Sequence, residues 1–106
     1  GVRYLSAETA AIHFQDLMPE LGLEAFAVAF GDAAQYMKFG GGFGIKLQED
    51  GSEKADYYFW GGAANTFFWI DGQDGNVGVF FTHIWPPRYN LSDQIEQLVD
   101  EARIIK

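Results

Sequence analysis

Tyr57-Tyr58-Phe59-Trp60-Gly61-Gly62-Ala63-Ala64-Asn65 is the stretch on which the reading of this chain turns. Aromatic residues favour strands, so residues 55–60 read as one strand that runs into a pair of glycines. A second aromatic run, Thr66-Phe67-Phe68-Trp69-Ile70-Asp71, follows at once, which makes residues 63–71 the next strand. Two adjacent glycines have a plain structural reading as a bulge in an edge strand. They also have a functional one. Glycines strip side chains from a strand edge, so a substrate can lie along the backbone and a main-chain N–H can meet a developing oxyanion.

Working outward, a period of two begins after Gly41, where Phe43, Ile45 and Leu47 alternate with Gly44 and Lys46. Residues 42–48 are therefore a strand, ended by the turn signal Glu49-Asp50-Gly51. Gly72-Gln73-Asp74-Gly75 turns the chain again, and residues 76–84 are a fourth strand before Pro86-Pro87 breaks the sheet. The last two strands are apolar on both faces, a pattern of strands that need cover on both sides. At the amino end, Ser6 is placed to cap a helix over residues 7–17, with Glu8 in its first turn and Ala10, His13, Phe14 and Leu17 along one face. Pro19 and Leu21-Gly22 stop it. At the other end, Ser92 is placed to cap a helix over residues 93–104. Its apolar stripe is Ile95, Leu98, Val99 and Ala102, with Asp93 and Glu96 near the start and Arg103 and Lys106 near the end. Between these, residues 24–39 hold neither period; 25–30 read as a short strand and 33–38 as a turn or helical stub. The expected fold is α+β, a single unit over residues 1–106 with an antiparallel sheet of about four strands flanked by an amino-terminal and a carboxy-terminal helix. Two short helices do not cover both faces of such a sheet, so one face is expected to need another layer.

Composition narrows the function classes. Eighteen of 106 residues are aromatic, beside thirteen glycines, which suits tightly packed strands or a ligand-lining edge. Fifteen acidic against seven basic residues leave a net charge of −8, which repels phosphate backbones and argues against a nucleic-acid partner. No apolar run reaches the roughly 20 residues of a membrane helix. There is no cysteine, hence no disulfide, thiolate nucleophile or cysteine zinc site, and His13 and His83 alone make no metal site. No cofactor is implied.

The candidate chemistry is incomplete. Ser6, Ser52 and Ser92 fall at a helix cap, a turn and a helix cap, none in a Ser-x-x-Lys or Gly-x-Ser-x-Gly setting that would activate it. His83, near a strand end, reads as a sheet residue. Gly40-Gly41-Gly42 precedes a strand, not a helix, so it does not cradle phosphate. The carboxylates fall in turns and on solvated helix faces.

Read in order, Leu5-Ser6-Ala7-Glu8-Thr9, Met18-Pro19-Glu20, Gly42-Phe43-Gly44-Ile45, Trp60-Gly61-Gly62-Ala63 and Phe68-Trp69-Ile70-Asp71 resemble the end of the serine β-lactamase and D,D-peptidase superfamily, nearest its class C β-lactamase-like esterases and peptidases. In that family Trp-Gly-Gly is a variant of the Lys-Thr-Gly element on the strand bordering the active site. The resemblance implies that Trp60, Gly61 and Gly62 line the substrate cleft and that the Ala63 backbone N–H forms half of the oxyanion hole. The family's Ser-x-x-Lys and Tyr-x-Asn are absent from this chain; Tyr89-Asn90 is adjacent, not spaced. Trp60 in place of lysine removes a cation that meets a substrate carboxylate, which leans the implied activity towards ester or amide hydrolysis or acyl transfer. The expectation is a carboxy-terminal portion of a serine hydrolase, inactive alone, whose partner is the remainder of that hydrolase or a second copy covering the sheet, acting on a small ester or amide. The alternative is a non-catalytic sheet module that self-associates or binds a partner.

Overall fold

The computed structural model describes residues 1–21, 23–86 and 89–103. It is α+β, a five-stranded antiparallel sheet with helices at both ends of the chain. The strands are β1 (Met37–Phe39), β2 (Gly44–Leu47), β3 (Ala55–Gly61), β4 (Phe67–Asp71) and β5 (Val77–Phe80), in the spatial order β1-β2-β3-β4-β5. Every connection joins sequence neighbours, as short antiparallel hairpins allow. The extra strand, β1, comes from the stretch that showed no period. Among the described residues, no helix is long and apolar enough to cross a membrane.

Register sorts the side chains onto two faces. Gly44 lies opposite Phe59, Phe59 opposite Trp69, and Trp69 opposite Gly78. Phe67 and Phe80 face each other one step along. Phe59 and Trp69 are both buried. The Trp69 ring lies flat across Gly78, where any Cβ would collide with it, and stacks on Phe67 at 6.1 Å between centroids. A missing side chain on β5 is what admits the indole. The second face carries Ile45, Tyr58, Trp60, Phe68, Ile70, Val77 and Val79 by alternation. Phe14 covers its first part, with ring centroids 4.8 Å from Tyr58 and 5.4 Å from Phe43. Its far part is open: Val77 and Val79 are 63% and 56% exposed. The expected shortage of cover therefore falls on one half of one face.

The helices depart from the sequence reading for local reasons. α1 (Ala7–Ile12) is capped by the Ser6 hydroxyl, which accepts from the Thr9 N–H, but it stops well before residue 17. The backbone is captured by the β1–β2 connection instead. Gly41 N–H donates to the His13 carbonyl at 2.8 Å, and Leu17 N–H donates to the Phe39 carbonyl at 2.9 Å. That unwinding brings Phe14 onto the sheet.

Residues 25–30 are not a strand; α2 (Leu23–Phe30) is a helix followed by a 3-10 turn, Gly31–Tyr36. Phe26-x-Val28-x-Phe30 mimics a period of two, yet three alanines favour helix. In the helix Phe26 and Phe30 share a face, 6.1 Å apart, while Val28 points to solvent. Phe30 meets Phe59 edge-on at 5.7 Å, which docks α2 on the sheet's first face.

α3 (Leu91–Glu101) starts before residue 93, so Ser92 lies inside it and is not its cap. Asn90 holds that position, but its side chain accepts from no backbone N–H of the first turn; its amide donates to the Asp93 carboxylate instead. Residues 104–106, with Lys106, and the breakers Gly22 and Pro87 lie outside the described residues. The strand expected over 76–84 ends at Phe80.

Arg103 ties the end of α3 to the β4–β5 turn, donating to the Asp71 carboxylate at 2.5 Å and reaching Asp74 at 3.4 Å. Partial burial works to raise the Asp71 pKa. The N–H donors of Asp74 and Gln73 and the Arg103 guanidinium outweigh it and hold the carboxyl below its usual range. Glu96, half-buried on the same helix, has the opposite fate. Burial first, then the carboxylates of Asp100, Asp93, Asp56 and Asp71, push its pKa up to about 7.

A carboxyl with a raised folded pKa binds its proton more tightly in the folded chain. Stability therefore falls as pH rises from 4.5 to about 7, and levels off above. Glu96→Gln removes that loss. Its melting temperature should exceed that of the parent chain above pH 7 and should match or fall below it under pH 4.5. Thermal melts of both chains across this range check the sign; an equal gap at every pH counts against it.

Candidate functional site

Trp60 and Gly61 are the last residues of β3, and Gly62 closes the hairpin to β4. The strand expected over 63–71 begins instead at Phe67, because 63–65 form the turn itself. Gly62 N–H donates to the Thr66 carbonyl at 2.8 Å, and Asn65 N–H donates back to the Gly62 carbonyl at 3.0 Å. Asn65 takes the left-handed φ of +64°, which asparagine tolerates better than most residues. This is a three-residue hairpin loop built on a β-turn and a left-handed residue. The Thr66 hydroxyl fills the space a side chain at Gly62 would need, so the position has no room for one.

The loop is held from one side. The Ala64 carbonyl accepts from the Thr82 hydroxyl at 2.5 Å and from the Ile84 N–H at 3.2 Å, so the chain leaving β5 braces the turn. Ala63 is exposed, and its N–H donates to no backbone acceptor among the described residues. The structure thus brings all four expected positions, Trp60, Gly61, Gly62 and Ala63, to one end of the sheet.

Beside them lies a cleft of about 360 Å³, lined by Trp60, Gly61, Gly62, Thr66, Phe67, Phe68, Val79, Phe80 and Phe81. No lining residue is charged, and Thr66 brings the one side-chain hydroxyl. Trp60 is 44% exposed. It also meets Phe39 edge-on at 5.3 Å and borders a smaller hollow of about 250 Å³ against Phe26 and Phe30 of α2. A large ring between two apolar hollows is a wall for an apolar group.

The other candidates stand apart from this cleft. Ser6 caps α1, Ser52 lies in the β2–β3 turn bonded to Gln48 and Asp50, and Ser92 lies in α3. The His13 ring nitrogen Nδ1 bonds the Thr9 carbonyl at 2.9 Å. His83 is not a sheet residue: it follows the end of β5 and is exposed. None of these lines the cleft. No group of three or more histidine, aspartate or glutamate side chains among the described residues is arranged to hold a metal ion.

The site as built can bind and orient; among the described residues that line it, the Thr66 hydroxyl stands with no histidine, lysine or carboxylate beside it. Sequence reasoning missed Thr66, Phe67, Phe68, Val79, Phe80 and Phe81 as its lining. For Val79, Phe80 and Phe81 a signal was present in Val77-Gly78-Val79-Phe80-Phe81, an uncharged run that continues past the strand's end. Compared with known proteins, the chain matches no protein-family model and no curated protein.

Proposed function

We propose that the chain is the carboxy-terminal part of a serine hydrolase related to the serine β-lactamases and D,D-peptidases, and that residues 60–63 wall its acyl-binding cleft. One observation carries this reading: the Trp60-Gly61-Gly62 run lines an apolar cleft at the end of a strand, and the N–H of the next residue, Ala63, donates to no backbone acceptor among the described residues. A serine elsewhere in the hydrolase attacks the carbonyl carbon of an ester or amide. The oxyanion that forms accepts from the Ala63 N–H and from that serine's own N–H. The alcohol or amine leaves, and water or another acceptor releases the acyl group. No charged residue lines the cleft, so a neutral, apolar acyl group suits it better than one bearing a carboxylate. The remainder of the hydrolase covers the open half of the second face.

The isolated chain, lacking nucleophile and base, is expected to show no saturable hydrolysis of nitrophenyl esters. Serine-directed turnover by these 106 residues alone would contradict the reading. So would a gene whose upstream coding sequence holds neither Ser-x-x-Lys nor Tyr-x-Asn.

A second reading, a non-catalytic sheet module, is favoured by the exposure of Val77, Val79 and Phe81, the last at 84%. The two readings part on whether any longer gene product turns over an ester.

A further inference from the structure

The cleft beside Trp60 owes its depth to one short row of side chains. Trp60, Phe68 and Val79 stand side by side across β3, β4 and β5 on the second face. Gly62 and Thr66 are paired across the end of the hairpin through the Gly62 N–H and the Thr66 carbonyl, and fall on the same face by alternation. Glycine brings no side chain there and threonine a short one, so the tall first row drops into a hollow. On the hydrolase reading the remainder of the hydrolase closes over this face, and the hollow is what the short row leaves beneath it.

Thr66 supplies the polar side-chain atom of that hollow. The chain has three threonines. Thr9 Oγ1 bonds the Ser6 hydroxyl, and the Thr82 hydroxyl donates to the Ala64 carbonyl. The Thr66 hydroxyl has no hydrogen-bond partner among the described residues. No buried side-chain polar atom among them is left unpaired, so this hydroxyl is open to the cleft it lines. It lies in the space that a side chain at Gly62 would take, and the glycine admits it. The walls around it are uncharged and include the rings of Trp60, Phe68 and Phe81. Trp60 and Phe81 are exposed, so both have ring surface to offer. Ring–ring contacts are worth more than the area they bury. A single hydroxyl in an apolar hollow fixes where the polar atom of a guest must lie.

We propose that this cleft takes a hydroxylated aromatic acyl group, its ring against Trp60 and its hydroxyl bonded to that of Thr66. That the guest is an acyl group rests on the hydrolase reading; the ring and the hydroxyl rest on the cleft itself. A hydroxyl both donates and accepts, so two of them pair in either sense. A phenol-type group also stays neutral near neutral pH, which an uncharged hollow requires. Thr66 is then a specificity-determining residue. A guest without the hydroxyl displaces water from Thr66 and gives it no partner in return, so it binds less well.

Three neutral probes sharing one methylamide handle test this on the full chain: N-methyl hydroxybenzamide, N-methylbenzamide and the saturated N-methyl hydroxycyclohexanecarboxamide. Each is titrated while the amide resonances of Gly62, Thr66 and Phe68 are followed. The hydroxybenzamide should bind about two- to tenfold more tightly than either of the others. Thr66→Val keeps the branched shape and the strand preference while deleting the hydroxyl. That chain should melt as the parent does and lose the preference for the hydroxylated ring over the bare one. Trp60→Leu keeps an apolar wall without the indole, and should narrow the gap between the aromatic and the saturated probe. No binding of the hydroxybenzamide, equal binding of the three probes, or a hydroxyl preference that survives Thr66→Val overturns the proposal. The two readings fail separately. A longer gene product that hydrolyses esters without favouring hydroxyphenylpropanoyl over phenylpropanoyl sinks the specificity alone. Probes that bind as expected, beside a gene product that turns over no ester, sink the hydrolase reading alone.

Discussion

Trp69→Ala is expected to cost about 3–5 kcal/mol, enough to unfold the chain. Domains of this size hold only about 5–15 kcal/mol of net stability, and this one is placed low in that range by its core. Among the described residues the buried hydrophobic ones are Phe26, Ala34, Ile45, Phe59 and Trp69, and none of these is sealed from solvent below 2% exposure. Trp69 is the largest of them and joins two strands, spanning from the Phe67 ring across to Gly78 on β5. Truncation leaves a void that Gly78 has no side chain to fill, so collapse of the site offsets little of the loss. Urea unfolding followed by near-ultraviolet circular dichroism measures it. Leu98→Ala is the comparison, since Leu98 is 63% exposed on α3 and its loss should be small. A Trp69→Ala midpoint within the range of the Leu98→Ala chain would show that the sheet's first face does not carry the stability.

The sheet was legible in the sequence where side-chain alternation and turn chemistry agreed. Asp71-Gly72-Gln73-Asp74-Gly75 contains its own acceptors: the Asp71 carboxylate takes the N–H groups of Gln73 and Asp74, so the turn forms where the residues say it should. Ser6 capped α1 for the same reason, a short-range bond between neighbours. What the sequence did not disclose was set by distant partners. α1 ends early because its next residues bond Gly41 and Phe39. The spacing of Phe26, Val28 and Phe30 fits a strand as well as a helix until Phe59 is there to receive Phe30. The candidate site divides the same way. Trp60-Gly61-Gly62 stands out by composition, whereas Phe68, Val79 and Phe81 join it only once β4 and β5 are paired.

That the turn at Ala63 is local makes the functional proposal sharply testable. On the proposed reading Ala63 acts through its N–H alone, so a change that deletes this atom and nothing else isolates the role. Ala63 is the second residue of the β-turn that Asn65 N–H closes onto Gly62, the position where proline is favoured. Gly62, just before it, follows the end of β3 at Gly61 and has no left-handed φ, so it is not held in a conformation that proline's predecessor avoids. Ala63→Pro should therefore fold as well as the parent chain, with stability unchanged or raised by about 0.4–1 kcal/mol. In the longer hydrolase, loss of one of two oxyanion donors should lower kcat about 10²–10³-fold with KM little changed. Ala63→Gly keeps the N–H and should keep most of the activity. Esterase assays on both variants, with thermal melts alongside, separate a chemical role from a structural one. Should Ala63→Pro retain full kcat while melting normally, the backbone donor at this turn has no part in the reaction. The cleft beside Trp60 would then be a binding surface only.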